Sequence, residues 1–413
     1  MTTRFEDRVT ELGRSLSGSL TRLVAATPGR PQGPVQLARA LGVDKVLASR
    51  VLRAAGSRDP VTALRFMPGP APLRRFAQAA GGVGVDPKLV GEVELAVAGF
   101  EDLIRAEAGD RSGLDAMLTS WIPEARGEFE LRRKQSAYRA MSQLLGKSVE
   151  TELAIALLHP AEDPRRISIV WITGFLGLQR LRPGVSMRFA SRRVGAAAAG
   201  EAPRALRNVF GEPADGIEGL CLPDYCSRPM PKLESRRAGE VVHYILDEPA
   251  FGPRARLDLV YAELNAQELP RFVPFQPGRK RYVFAEIAVP AERLEFDVLI
   301  HRDLLGATAP ALHLYDTAYE GVANVNDRAR DMDRMELHEE LRSMGTGLGR
   351  LRLSTAPWNT ELLQRVCDRQ GWASQELHAF RSSIDYPLYG SQVAVAWDAE
   401  FEADAGAGAA AGG

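Results

Sequence analysis

The sequence predicts an α+β fold: an all-α N-terminal module, a helical connector, and a C-terminal domain with antiparallel β-sheet and helices. Three observations carry this. Up to Leu145 apolar side chains recur every three or four positions, the period of a helix buried on one face. Near Val149 the pattern changes to short runs of branched and aromatic residues separated by turn signals. Clusters of Pro and Gly cut the helical half into pieces of ordinary helix length.

Taken in order, Phe5, Val9, Leu12, Leu16, Leu20 and Leu23 form one stripe on a first helix, which "TPGRPQGP" stops. Two short helices follow in "QLARALGVDKVLASRVLRAA", meeting at Gly42. Ser57 or Asp59 then offers an N-cap before Pro60, and "LRRFAQAA" reads as another helix. Asp86 and Pro87 open a long helix toward Glu107, and "FELRRKQSAYRAMSQLLG" closes the helical half. Strands are expected in "TELAIALLHP", "RRISIVWITGF", "VSMRFASRRV", "GEVVHYILDE", "ARLDLVYAEL", "RKRYVFAEIAV" and "RLEFDVLIHRDLL". The turn "PAE" suggests that the last two pair antiparallel. Helical patterns return in "DRMELHEELRSMG", "NTELLQRVCDRQGW" and "SQELHAFRSSI", before a closing strand "SQVAVAWDAEF". The tail "ADAGAGAAAGG" is low in complexity and expected to be disordered. The domain boundaries that follow are 1–80, a connector 81–148, a sensing or effector domain 149–401, and a tail 402–413.

The 413 residues suffice for two or three domains, and 25% charged residues with 45% hydrophobic ones is ordinary globular composition. Three cysteines, Cys221, Cys226 and Cys367, supply neither a disulfide framework nor a zinc ribbon. The N-terminus carries acidic residues where a leader would need an apolar run, and no segment of transmembrane length lacks charges. A cytoplasmic protein without membrane contact is the expectation.

The sharpest functional signal is the pair of helices around Gly42. Leu37, Ala38, Leu41, Val43, Ala48 and Val51 supply the apolar contacts, and Asp44 caps the second helix. Lys45, Ser49, Arg50 and Arg53 remain on the outer face. Arginine can donate two hydrogen bonds to a guanine edge, and Lys or Ser reaches bases or phosphates. Residues 1–76 hold thirteen basic and five acidic side chains, or +8, in a chain of formal net charge −1. A local basic module of this kind is what phosphate attraction requires.

The stretch "LARALGVDKVLASRVLRA" resembles the helix-turn-helix of bacterial transcriptional regulators, and is most similar to the IclR-type version. That resemblance covers only this stretch, and "GSRDPVTALRF" departs from it by reading as helix where the family has a β-wing. It implies binding of double-stranded DNA through Gln36, Asp44, Lys45, Ser49, Arg50 and Arg53, in a homodimer whose two halves read half-sites about 34 Å apart. The first-helix stripe, shared between the hairpin and a partner, would supply the dimer contact.

Elsewhere "LIHRDLL" sets His301 and Asp303 two apart, and Asp316, Asp331, Asp333, Glu336 and His338 cluster downstream. "HEELR" lacks the second histidine of a zincin helix, so no metal site or catalytic residue is assigned. "GTGLGR" reads as a helix C-cap and turn rather than a phosphate loop, Cys226 as a plain loop cysteine. Trp171, Tyr315, Trp358, Trp372 and Tyr386 are candidates to line a ligand pocket. The expected function is a DNA-binding transcriptional regulator with a C-terminal domain sensing a small-molecule effector, and no cofactor. The alternatives are a cytoplasmic enzyme, metal-dependent in one form, whose hairpin is structural, and an interaction protein whose helical half binds another protein.

Overall fold

The computed structural model describes residues 5–120, 123–193, 206–214, 216–247 and 250–401, so the expected tail at 402–413 lies outside the described residues. The chain divides into two compact units, 1–130 and 131–413.

The first unit is all helix. Its elements are α1 (Phe5–Ala26), α2 (Pro34–Leu41), α3 (Lys45–Ala55), α4 (Pro60–Phe66), α5 (Pro70–Gly82), α6 (Pro87–Leu103), a π turn at Ile104–Ala108 and α7 (Arg111–Ser120). Prolines open α2, α4, α5 and α6, where a missing N–H costs nothing. Asp59 and Asp86 cap α4 and α6. The α1 stripe is the centre of this core: Val9, Leu16, Leu20 and Leu23 are fully buried together with Leu37, Val51, Phe76, Val97 and Phe100. Gly13 lets α4 approach, since a Cβ there would stand 2.3 Å from the Pro60 carbonyl oxygen. Two expectations change here. Residues 81–118 belong to the same core as α1–α5 and are not a separate connector. The stripe expected to reach a partner is covered by its own chain, because α3, α4 and α6 all pack on it.

Helix α8 (Pro123–Leu145) leads into the second unit, whose strands are β1 (Lys147–Pro160), β2 (Arg166–Arg180), β3 (Met187–Arg193), β4 (Leu233–Ala238), β5 (Val241–Leu246), β6 (Leu257–Pro270), β7 (Phe272–Val273), β8 (Lys280–Glu286), β9 (Ala291–His301), β10 (Ala311–Asp316), β11 (Arg342–Thr346), β12 (Leu377–Asp385), β13 (Ser391–Asp398) and β14 (Glu400–Phe401), with α9 (Asn359–Gln370) between β11 and β12. A six-stranded sheet runs β11-β12-β9-β1-β2-β6. All its pairs are antiparallel except β1 with β9. One face packs on the three-stranded sheet β10-β13-β8, with Phe296 and Val298 meeting Val393, Val395 and Trp397. The other face is covered by α9, through Leu362, Leu363 and Val366, and by side chains of the sheet β3-β5-β4. The α+β class expected from the sequence is the class observed.

Four local expectations are corrected. The "PAE" turn joins no hairpin: β8 pairs with β13, while β9 enters the large sheet beside β1. Strand β9 is buried almost throughout, as an inner strand with a parallel neighbour must be, whereas β8 is half-buried. "DRMELHEELRSMG" is not helical. Met335, Leu337, Glu339 and Leu341 alternate inward with exposed neighbours, a period of two that charged residues disguise as a helix pattern. "SQELHAFRSSI" is a short 3-10 turn followed by β12, its two faces serving two cores. "GTGLGR" therefore begins inside strand β11, with Gly345 and Gly347 at φ 82° and 75°, and caps no helix.

Candidate DNA-binding face and ligand cavity

Local chemistry builds the α2–α3 turn. Gly42 takes φ 65°, and its N–H, with that of Val43, returns to the Ala38 carbonyl. Asp44 then extends, and its Oδ1 accepts from Val46 N at 2.7 Å and Leu47 N at 3.3 Å, capping α3. Leu37, Leu41, Ala48, Val51 and Ala54 are buried, while Ala38 and Val43, expected inside, are half-buried.

The six residues singled out for DNA contact are all exposed, but they divide by what they do. Gln36 accepts from Gln32 N at 2.8 Å, and Asp44 is the α3 cap, so these two shape the backbone. Arg53 lies 3.6 Å over the Phe66 ring, and Arg50 donates to the Met67 carbonyl at 3.3 Å. Both arginines are thereby held along α3 with N–H groups left for an incoming anion, five donors being more than one contact uses. Lys45 and Ser49 have no side-chain partner among the described residues.

The basic excess is sorted by pairing. Arg22 meets Glu92 at 2.8 Å and Arg65 meets Glu128 at 3.6 Å; Arg8 pairs with Glu107 and Arg74 with Glu101. The acidic partners all come from residues after 80. Among the described residues Arg14, Arg30, Arg39, Lys45, Arg50, Arg53, Arg58, Arg75 and Lys88 are exposed and have no ion pair, and six of these nine lie on or beside α2 and α3. Asp44 and Asp59, which flank α3, cap α3 and α4.

The histidine–carboxylate cluster forms no metal centre: no group of three or more His, Cys, Asp or Glu is placed to hold an ion among the described residues. His301 ends β9, with Nε2 3.1 Å from Glu376 and its ring edge-on to His159, which stacks on Trp372. Asp333 holds Arg330 at 2.5 Å, and Asp316 closes a turn on Ala318 N. Cys226 is buried and donates to the Val260 carbonyl, and burial pushes its thiol pKa up, so it is no exposed nucleophile.

The second unit holds a cavity of about 560 Å³ that sequence reading did not locate, although Trp171 lines it. Its floor is one face of β1, β2 and β6, where register sets Glu152 beside Phe175, Thr173 between Ala154 and Tyr261, and Trp171 beside Glu263. Phe189 and Tyr244 close it from β3 and β5, and Phe284 and Glu286 from the edge strand β8. Ala154 leaves room on the floor, while Leu153, Ile155 and Leu157 fill the core opposite. Glu152 is 4% exposed and its Oε2 has no hydrogen-bond partner. Burial, with Glu286 adding repulsion, pushes its carboxyl up to about 8. Glu263 is also raised by burial, although Arg192 pairs with it at 2.7 Å. A glutamate inside an otherwise apolar inner strand, "TELAIALL", was the signal available for this site.

No helix among the described residues is long and apolar enough to cross a membrane. Comparison with protein-family models, curated proteins and solved structures finds nothing that matches this chain.

Proposed function

We propose that the protein is a DNA-binding transcriptional regulator whose helical unit binds double-stranded DNA through α3 and whose second unit holds a small effector. The observation that carries the reading is the concentration of unpaired positive charge on and beside an exposed, capped α3, while Arg8, Arg22, Arg65 and Arg74 are paired with carboxylates. Phosphate contact by Arg30, Arg39 and Arg58 would position the helix, and Lys45, Ser49, Arg50 and Arg53 would face the groove. A homodimer would double the short readout of a single hairpin, and its contact would use a surface other than the α1 stripe. The reading does not require a cofactor.

Ser49→Glu tests it with least disturbance, because Ser49 is exposed and holds nothing. Fluorescence anisotropy with a labelled pool of duplex DNA at low salt should show at least tenfold weaker binding by the variant, with unchanged circular dichroism. Equal affinity would overturn the assignment of this face.

A further inference from the structure

The cavity on β1, β2 and β6 carries a more specific reading. Its lining has four carboxylates, Glu152, Glu263, Glu268 and Glu286, and one base, Arg192, already paired with Glu263. Six aromatic side chains, Trp171, Phe175, Phe189, Tyr244, Tyr261 and Phe284, line it as well, beside small apolar residues and the polar Thr173, Ser191 and Asn265. Phosphates and carboxylates would meet repulsion from this lining. A neutral apolar ligand would leave the Glu152 Oε2 buried without a partner, its lost hydration uncompensated. An ammonium group answers both conditions: it gives Oε2 its missing donor and is attracted by the faces of neighbouring rings. The volume, about 560 Å³, suits a compact molecule.

We propose that this cavity binds a small organic cation, a primary or secondary amine on an aromatic or alicyclic body, with Glu152 as its ammonium acceptor. The apolar body packs against the aromatic walls. This deepens the effector half of the proposed function and rests on the cavity alone. A chain that binds the amine but no DNA would fail the regulator reading only.

Ligand binding is coupled to a proton. In the empty cavity Glu152 is mostly protonated at neutral pH, because burial and Glu286 on β8 oppose its charge. The other groups facing it are Tyr261, Glu263 and Glu268 on β6, Arg192 on β3 and Tyr244 on β5. An ammonium ion entering the cavity pairs with the carboxylate, and the Glu152 proton leaves to solvent. Calorimetry in buffers of different ionisation enthalpy should therefore show proton release at pH 6.5, fading above pH 8.5.

The test uses the full chain and three probes of similar size by saturation-transfer NMR: 2-phenylethylammonium, the neutral 3-phenylpropanol and the anionic 3-phenylpropionate. The ammonium probe should bind, and Glu152→Gln should weaken it at least tenfold, as should Trp171→Ala through the walls. Proton release should vanish in Glu152→Gln. Cooperative unfolding of both variants, followed by fluorescence, separates lost binding from lost folding. Stronger binding of the propionate, no ammonium signal at 10 mM, or an ammonium affinity indifferent to Glu152→Gln would overturn the proposal.

Discussion

Replacing Glu152 by glutamine should make the second unit more stable than the wild type in alkaline solution, by an amount set by the cavity. In the unfolded chain this carboxyl ionises at its ordinary value near 4.5, and in the fold it does so at about 8. A folded value raised above the unfolded one means that the group's contribution is fully present below pH 4.5. It is then lost as pH rises toward 8, because only the unfolded state gives up its proton freely. At about 1.4 kcal/mol for each pH unit between the two values, the full penalty approaches about 5 kcal/mol, of which about 4 falls between pH 5 and pH 9. Glutamine keeps the size and a neutral polar head but cannot ionise. Glu263 and Asp297 also have carboxyls raised by burial, and they remain in both proteins, so the difference isolates Glu152. The assay is urea unfolding followed by tryptophan fluorescence, which reports this unit because four of the five tryptophans, Trp171, Trp358, Trp372 and Trp397, lie in it. Wild type and variant should match within about 1 kcal/mol at pH 5 and diverge steadily above it. Parallel stability profiles from pH 5 to pH 9 would refute the argument that this carboxyl is desolvated.

Two further outcomes follow from the packing. Asp44→Ala removes both cap bonds of α3 and should cost about 1 kcal/mol of stability in thermal unfolding, yet leave DNA affinity equal or higher, since an acid leaves the basic face; a loss of affinity in the folded variant would make Asp44 a base-reading residue instead. Arg381→Met strands Asp297, which is wholly buried and held by two 2.6 Å bonds from that arginine, and should cost about 3–5 kcal/mol, most of it recovered when Asp297→Leu is added. A single-variant cost below about 1 kcal/mol would show that water already reaches the pair.

The hairpin was legible in the sequence because its determinants are local. Pro34, Gly42 and Asp44 act on backbone groups within five residues, so their roles follow from spacing alone. The pairing of Arg22 with Glu92, and of Arg74 with Glu101, was not legible, since those carboxylates arrive through the packing of α6. Strand identity was readable where burial alternates or is continuous, as in β1 and β2, and was lost in "MELHEEL", where charges on the exposed side imitate a helix. The cavity depends on register between β1, β2 and β6, which no local pattern specifies. Trp171, one of five aromatic residues considered for a pocket, and Glu152, an acid amid apolar residues, were its only marks in the sequence.

The central claim is that α3 presents its basic face to DNA phosphate and groove, and its most direct measurement is the salt dependence of binding to duplex DNA. The logarithm of the affinity should fall linearly with the logarithm of salt concentration, with a slope of about −0.9 for each phosphate neutralised. With six unpaired basic side chains around α2 and α3, a wild-type slope of about −3 to −5 is expected, and Lys45→Ala with Arg50→Ala should reduce its magnitude by about 2. A chain that fails to bind duplex DNA at low salt, or a slope that the double substitution leaves unchanged, would contradict it.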